Sequence, residues 1–182
     1  MMLSAQARSR IDREIAKYPP DQKQSAVMSA LAIAQDENGW LSVEAMDAVA
    51  HYLDMPSVAV YEVATFYAMY NLEPTGRFKL TLCTNLPCAL QGATAAAEHL
   101  HQRLGVPFNG TTPDGYFTLK EGECFGACGD APVVLVNNKR MCTKMAPQQL
   151  DELLAELRAA AERGEGAVNS AAPGPVNEAK TA

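Results

Sequence analysis

Four of the five cysteines in this 182-residue chain form two closely spaced pairs, Cys83 and Cys88 in CTNLPC and Cys124 and Cys128 in ECFGACGDAP. Thiolate sulfur is a soft donor, and four of them suit tetrahedral zinc or a [2Fe–2S] cluster. A separation of four residues would put Cys124 and Cys128 on one helix face, but Gly126 between them and Gly129 after them each disfavour helix by roughly 1 kcal/mol. A loop is expected there. Glycines in such a loop let backbone N–H groups approach a sulfur or an anion. Taken alone, the loop also fits two inert buried thiols beside a turn.

The spacings exclude several sites. A plant-type ferredoxin needs C-x4-C-x2-C, and the third position is Gln91; a Rieske centre needs two histidines, and His51, His99 and His101 all lie outside the cysteine loops. A thioredoxin-type C-x-x-C is missing, which removes dithiol exchange. Zinc and [2Fe–2S] both remain, because spacing does not separate them. His99 and His101 sit two apart on one expected helix, point away from each other and are expected at the surface. Cys142, in KRMCTK, is expected as a small apolar side chain in a hairpin. Neither G-x-G-x-x-G nor a P-loop occurs, nor an evident nucleophile with its base, so the chain is not expected to bind NADH or to catalyse hydride transfer by itself.

The elements that must position the thiols follow from periodicity. Ile11, Ile15 and Tyr18 predict a helix ending at Pro19-Pro20; Ala26, Ala30, Ile33 and Ala34 predict a second, closed near Gly39. Ser42 caps a third with Met46, Val49, Ala50 and Leu53, and Ser57 caps a fourth with Val60, Val63, Ala64 and Tyr67. PSVAVYEVATFYAMY carries no Lys or Arg, so a DNA-reading helix is excluded. Its aromatic residues Tyr61, Phe66, Tyr67 and Tyr70 exceed what one face needs, which divides them between core and a partner surface.

NLEPTGR marks a boundary. Beyond it RFKLTLCT alternates as a strand delivering Cys83, LQGATAAAEHLHQRLG is one helix closed by Gly105, and YFTLKEG is a second strand. PVVLV and KRMC form a hairpin about Asn137-Asn138, and Pro147 opens a helix through Leu150, Leu153, Leu154 and Leu157. The order β-α-β-ββ-α gives an α+β (α/β-like) class: a helical part over 1–75, a sheet part with flanking helices over 76–162, and a disordered tail over 163–182. A strand end and a loop after another strand can meet at one sheet edge, so the two pairs can converge.

Composition sets the outer bounds. A hydrophobic fraction of 48% with 20% charged residues belongs to a globular chain. Net charge −6 disfavours nucleic acid and anionic lipid. With no apolar run long enough to cross a membrane and no signal core at the start, a cytoplasmic location is expected, where cysteines stay reduced.

CTNLPC together with ECFGACGDAPVVLVNNKRM resembles the thioredoxin-like [2Fe–2S] ferredoxins, and YEVATFYAMYN resembles the helical part that precedes the ferredoxin domain in that family; the similarity runs from about Ile11 to about Leu157. The resemblance implies that Cys83, Cys88, Cys124 and Cys128 are the iron ligands and that Cys142 is not. It implies an electron carrier in an NADH dehydrogenase module, or in the equivalent module of an NAD-linked hydrogenase or formate dehydrogenase. FMN and NADH would belong to a flavoprotein partner on which the helical part docks. Other peripheral-arm subunits of the same complex would hold the chain at the cytoplasmic side of the inner membrane, without insertion. A zinc-stabilised interaction protein is the reading from another class. The cluster's formal charge, about −2 and about −3 when reduced, makes donors from Gly126, Ala127, Gly129, Thr84 and Asn85 the expected tuning groups.

Overall fold

A computed structural model of the chain describes residues 3–165. Four helices come first: α1 (Ala5–Ile15), α2 (Val27–Asn38), α3 (Val43–Leu53) and α4 (Ser57–Phe66). Ser4 Oγ accepts from the Ala7 N–H at the start of α1, and Ser42 Oγ accepts from the Ala45 N–H at the start of α3, each satisfying one otherwise unpaired helix donor. Gly39, at φ 80°, closes α2 in the left-handed conformation that glycine adopts without strain.

Two helix ends differ from the sequence expectation. Helix α1 stops at Ile15, and Lys17 and Tyr18 donate to the carbonyls three residues back, so the chain tightens before Pro19 and leaves Tyr18 exposed. Ser57 is not a cap: Pro56 holds the extended cap position, Ser57 is already helical, and its hydroxyl serves Asp47. Ile11, Leu31, Leu41, Val49, Leu53 and Val60 fill the core between the helices, with Tyr70 at its edge.

The second half is a four-stranded sheet in the order β2-β1-β3-β4, formed by β1 (Phe78–Cys83), β2 (Phe117–Gly122), β3 (Val134–Val136) and β4 (Arg140–Cys142). Strand β1 runs parallel to β2, in register from Phe78↔Phe117 to Cys83↔Gly122, and antiparallel to β3. The β3–β4 turn uses Asn137 and Asn138 at φ 51° and 56°, as a tight hairpin requires. A short helix α5 (Leu86–Leu90) and a longer α6 (Ala93–Leu104) link β1 to β2, and α7 (Pro147–Glu162) ends the described fold. The helix expected from Leu90 starts later, at Ala93, because Gly92, at φ 97°, turns the chain between it and the short α5 that the sequence did not show. Most of the expected tail, from residue 166 on, lies outside the described residues.

The alternation read in β1 is a half-truth. Phe78, Leu80 and Leu82 enter the core with Leu100, Leu119 and Leu150, each fully buried leucine contributing about 1.5–3 kcal/mol. The opposite face is also covered. Lys79 meets the 71–76 linker, Thr81 stands beside the 123–133 loop, and Cys83 packs on Val133. His99 and His101 are half-buried rather than surface residues: His99 Nε2 bonds Asp151 Oδ1 of α7 at 2.9 Å, and His101 Nδ1 meets the Val106 carbonyl at 2.9 Å.

Between the helical core and the sheet lies a polar seam. Lys79, 4% exposed, donates from Nζ to Asn71 Oδ1 at 2.7 Å; Asn138 Nδ2 donates to the Met69 carbonyl, and Lys139 pairs with Asp36 at 2.6 Å. Burial first, and then the charge of Lys120, bring the Lys79 ammonium down from 10.5 to about 8. Below pH 8 the folded chain therefore bears a desolvated charge. From pH 8 to 10.5 the unfolded chain holds the proton that the folded chain has released, so stability rises with pH. Wild type should gain on Lys79→Met by about 2 kcal/mol in urea unfolding between pH 7.5 and 10, and a difference that stays flat over that range would contradict this reading.

Candidate metal centre

The parallel ladder of β1 and β2 carries its two strands to the same edge of the sheet and ends at Cys83↔Gly122. Both cysteine pairs start there. Cys83 is the last residue of β1; Cys88 lies inside α5, whose Pro87 sits in the first turn where a proline is tolerated. Glu123 follows β2, so Cys124 projects from the loop beyond that strand, and Cys128 opens a 3-10 turn, Cys128–Asp130.

The structure holds the four thiols as two pairs at this edge. Cys124 Sγ and Cys128 Sγ are 3.8 Å apart, and the Cys83 thiol lies within hydrogen-bonding reach of Cys88. Two thiolates on one tetrahedral metal at about 2.3 Å would be about 3.8 Å apart. Among the described residues no three His, Cys, Asp or Glu side chains gather closely enough to hold one metal ion jointly. The sulfurs thus form two pairs at one sheet edge, a donor set that suits a soft metal centre.

Electrostatics points the same way. Burial first, then Cys83, Cys128 and Cys124, push the Cys88 thiol up to about 11. Cys128 is likewise raised, first by Cys124. A cationic centre would ease ionisation of these two thiols, and the donor set fits an iron–sulfur cluster or zinc. Cys142 is buried among core side chains, with its thiol raised by burial, and belongs to no pair.

The surroundings are apolar on one side and open on the other. Cys83 and Cys88 are each 1% exposed and pack with Ala93 and Val133, against Phe125, Ala127 and Ala131, while Cys124 is exposed. The Gly126 N–H donates to Cys124 Sγ at 3.3 Å, with Gly126 at φ 77°, so the expected backbone donor is present. Thr84 and Asn85 do not play the expected part. Their side chains turn away from the sulfurs, Thr84 Oγ1 to Glu121 Oε1 and Asn85 Nδ2 to Glu123 Oε2, each at 2.8 Å.

Sequence reasoning missed Gly122 and Phe125. A Cβ at Gly122 would stand 2.6 Å from both Phe125 Cζ and Thr81 Cγ2, so this glycine lets the Phe125 ring lie against the strand pair and seat the cysteine loop. An isolated glycine closing a strand was the available signal, and YFTLKEG ends on it. Glu121 and Glu123 gave no sequence signal, since their partners lie 37 and 38 positions away.

The chain is 41% identical over 152 residues to a subunit of the NADH-quinone oxidoreductase of Rickettsia prowazekii, an alignment that covers 79% of this chain and 86% of that one. It is 43% identical over 167 residues to a subunit of an NADH-quinone oxidoreductase of Rhizobium meliloti, covering 92% and 98%. Among solved structures it is similar to a chain of an NAD+-reducing [NiFe]-hydrogenase in the air-oxidized state, with TM-score 0.64 and 20% identity. That likeness covers 73% of this chain but only 23% of the hydrogenase chain, and it speaks for the fold. The model of the thioredoxin-like [2Fe-2S] ferredoxin family matches residues 11–158, and the chain belongs to that family.

Proposed function

We propose that this chain is the iron–sulfur electron-transfer subunit of the NADH dehydrogenase module of an NADH:quinone oxidoreductase, with Cys83, Cys88, Cys124 and Cys128 as ligands of one [2Fe–2S] cluster. The observation that carries the reading is the convergence of two cysteine pairs at one sheet edge, in a chain of this family. The names of its relatives supply the complex. Four thiolates suit zinc as well as two irons, and membership of the [2Fe-2S] ferredoxin family favours the cluster.

When bound, the cluster supplies storage for one electron at a time. The chain's own residues supply the rest. Ala93 and Val133 exclude water from Cys83 and Cys88, the Gly126 N–H offsets negative charge at Cys124, and the exposed side of Cys124 leaves an open edge toward a redox partner. That partner is a flavoprotein that binds FMN and NADH, since this chain has no motif for either. NADH gives a hydride, two electrons at once, and the flavin divides them into single electrons that an iron–sulfur centre can take.

Residues 1–75 form the docking part in this proposal. Tyr70 is buried and donates to the Met28 carbonyl, but Phe66 is 79% exposed and Val58 63%, with Tyr67, Met69 and Leu72 partly exposed beside them. An apolar aromatic patch of this kind is what a protein partner covers. Among the described residues no helix is long and apolar enough to cross a membrane. Attachment to the cytoplasmic side of the inner membrane therefore runs through the complex and its other peripheral-arm subunits.

The chain purified without oxygen should be red-brown, contain iron and acid-labile sulfide, and give a paramagnetic signal on reduction; colourless protein with stoichiometric zinc would overturn the reading. Serine at any of the four proposed ligands should lose or alter that signal, and Cys142→Ser should keep it. Gly126→Ala meets no neighbour within 4 Å, so its effect comes from the positive φ alone, about 1 kcal/mol of strain at the Cys124 donor. It should shift the reduction potential, and an unchanged potential at full iron content would remove Gly126 from the account. Phe66→Ser should weaken flavoprotein binding about ten-fold or more while leaving iron content as in wild type.

A further inference from the structure

Backbone pairing between the two cysteine-bearing segments ends early. Cys83 faces Gly122 in the last register pair, and the Thr84 N–H donates to the Gly122 carbonyl at 3.2 Å as the final rung. Two side-chain bonds reinforce this end of the ladder. Thr84 Oγ1 donates to Glu121 Oε1 and Asn85 Nδ2 donates to Glu123 Oε2, each at 2.8 Å. Thr84 follows Cys83 directly, Asn85 follows Thr84, and Glu123 directly precedes Cys124. The Asn85–Glu123 bond thus joins the segment just after one proposed ligand to the residue just before another, and the Thr84–Glu121 bond ties the same segment to the end of β2.

We propose that Glu121 and Glu123 are positioning residues that lace the CTNLPC loop to the end of β2 and the start of the CFGAC loop, and fix two negative charges on the segment that leads into Cys124. The proposal rests on the cluster reading above. A hydrogen bond to a carboxylate is stronger than one between neutral groups, yet both glutamates are exposed, so water competes for each bond. The two ties act across one seam, and their effect falls on the relative position of the loops rather than on global stability. Their charges also bear on the electron. Adding an electron to an already anionic centre is harder beside fixed negative charge, so these carboxylates hold the reduction potential down.

The test uses the full chain with its cluster as isolated, in wild type and in Glu123→Ala, Asn85→Ala, the double variant, Glu123→Gln and Glu121→Gln. Cluster lifetime is read from loss of visible absorbance in excess EDTA, and midpoint potential by redox titration. Either alanine variant should shorten the lifetime about five-fold, and the double variant no further, because both remove the same bond. Glu123→Gln still accepts from Asn85 and should keep a lifetime within about two-fold of wild type, with a raised potential; Glu121→Gln should raise the potential too. A loaded wild type whose alanine variants match its lifetime, whose double variant is additive, or whose glutamine variants keep its potential overturns the lacing alone. If the alanine variants arrive empty, the glutamine variants decide: retained cluster with raised potential supports the proposal, and unchanged potential defeats it. A wild type without iron and sulfide would instead overturn the cluster reading itself.

Discussion

Everything at the site depends on the parallel pairing of β1 with β2. That register places Cys83 opposite Gly122, so two segments far apart in sequence leave the sheet side by side and deliver a cysteine pair each. A parallel pair cannot be closed by a tight turn, and here the crossover is made by α5 and α6. Gly92 allows that crossover to hold two helices at different angles, one keeping Cys88 at the sheet edge and the other packing Leu100 into the core. The site is thus built on the end of a rigid ladder, with the loops free to shape themselves to a metal centre.

The same edge sets the balance of charge. Burial and the neighbouring sulfurs raise the Cys88 thiol, and Cys124 raises that of Cys128, so this edge favours a cationic group beside those thiols. In the proposed centre, the Gly126 N–H would favour accepting an electron and the Glu121 and Glu123 carboxylates would oppose it. The result is a site whose willingness to be reduced is set by a few polar groups around an apolar pocket.

Much of this was legible in the sequence, for reasons of period and punctuation. Helices α2, α3 and α7 follow apolar residues at helical spacing, with Ser42, Gly39 and Pro147 marking ends, and Asn137-Asn138 marked the hairpin. The four cysteines stood out as two close pairs, and the resemblance of CTNLPC and ECFGACGDAP to the family marked them as ligands. What escaped was whatever depends on a partner distant in sequence. Lys79 looks like the polar half of an alternating strand until Asn71 and the linker cover it. Thr84 and Asn85 look like donors to sulfur until β2 brings Glu121 and Glu123 beside them. Phe66 and Tyr67 could not be told from core residues, because exposure is decided by which helix faces another helix and which faces a partner.

The central claim is that two cysteine pairs hold one binuclear iron centre across the β1–β2 edge. X-ray absorption at the iron edge of the purified chain tests it most directly, since it reads the atoms around the metal. The account predicts four sulfur neighbours per iron and a second shell containing a single iron neighbour, with both lost in Cys124→Ser/Cys83→Ser. A spectrum with absorption at the zinc edge only, four sulfurs and no metal neighbour would contradict it.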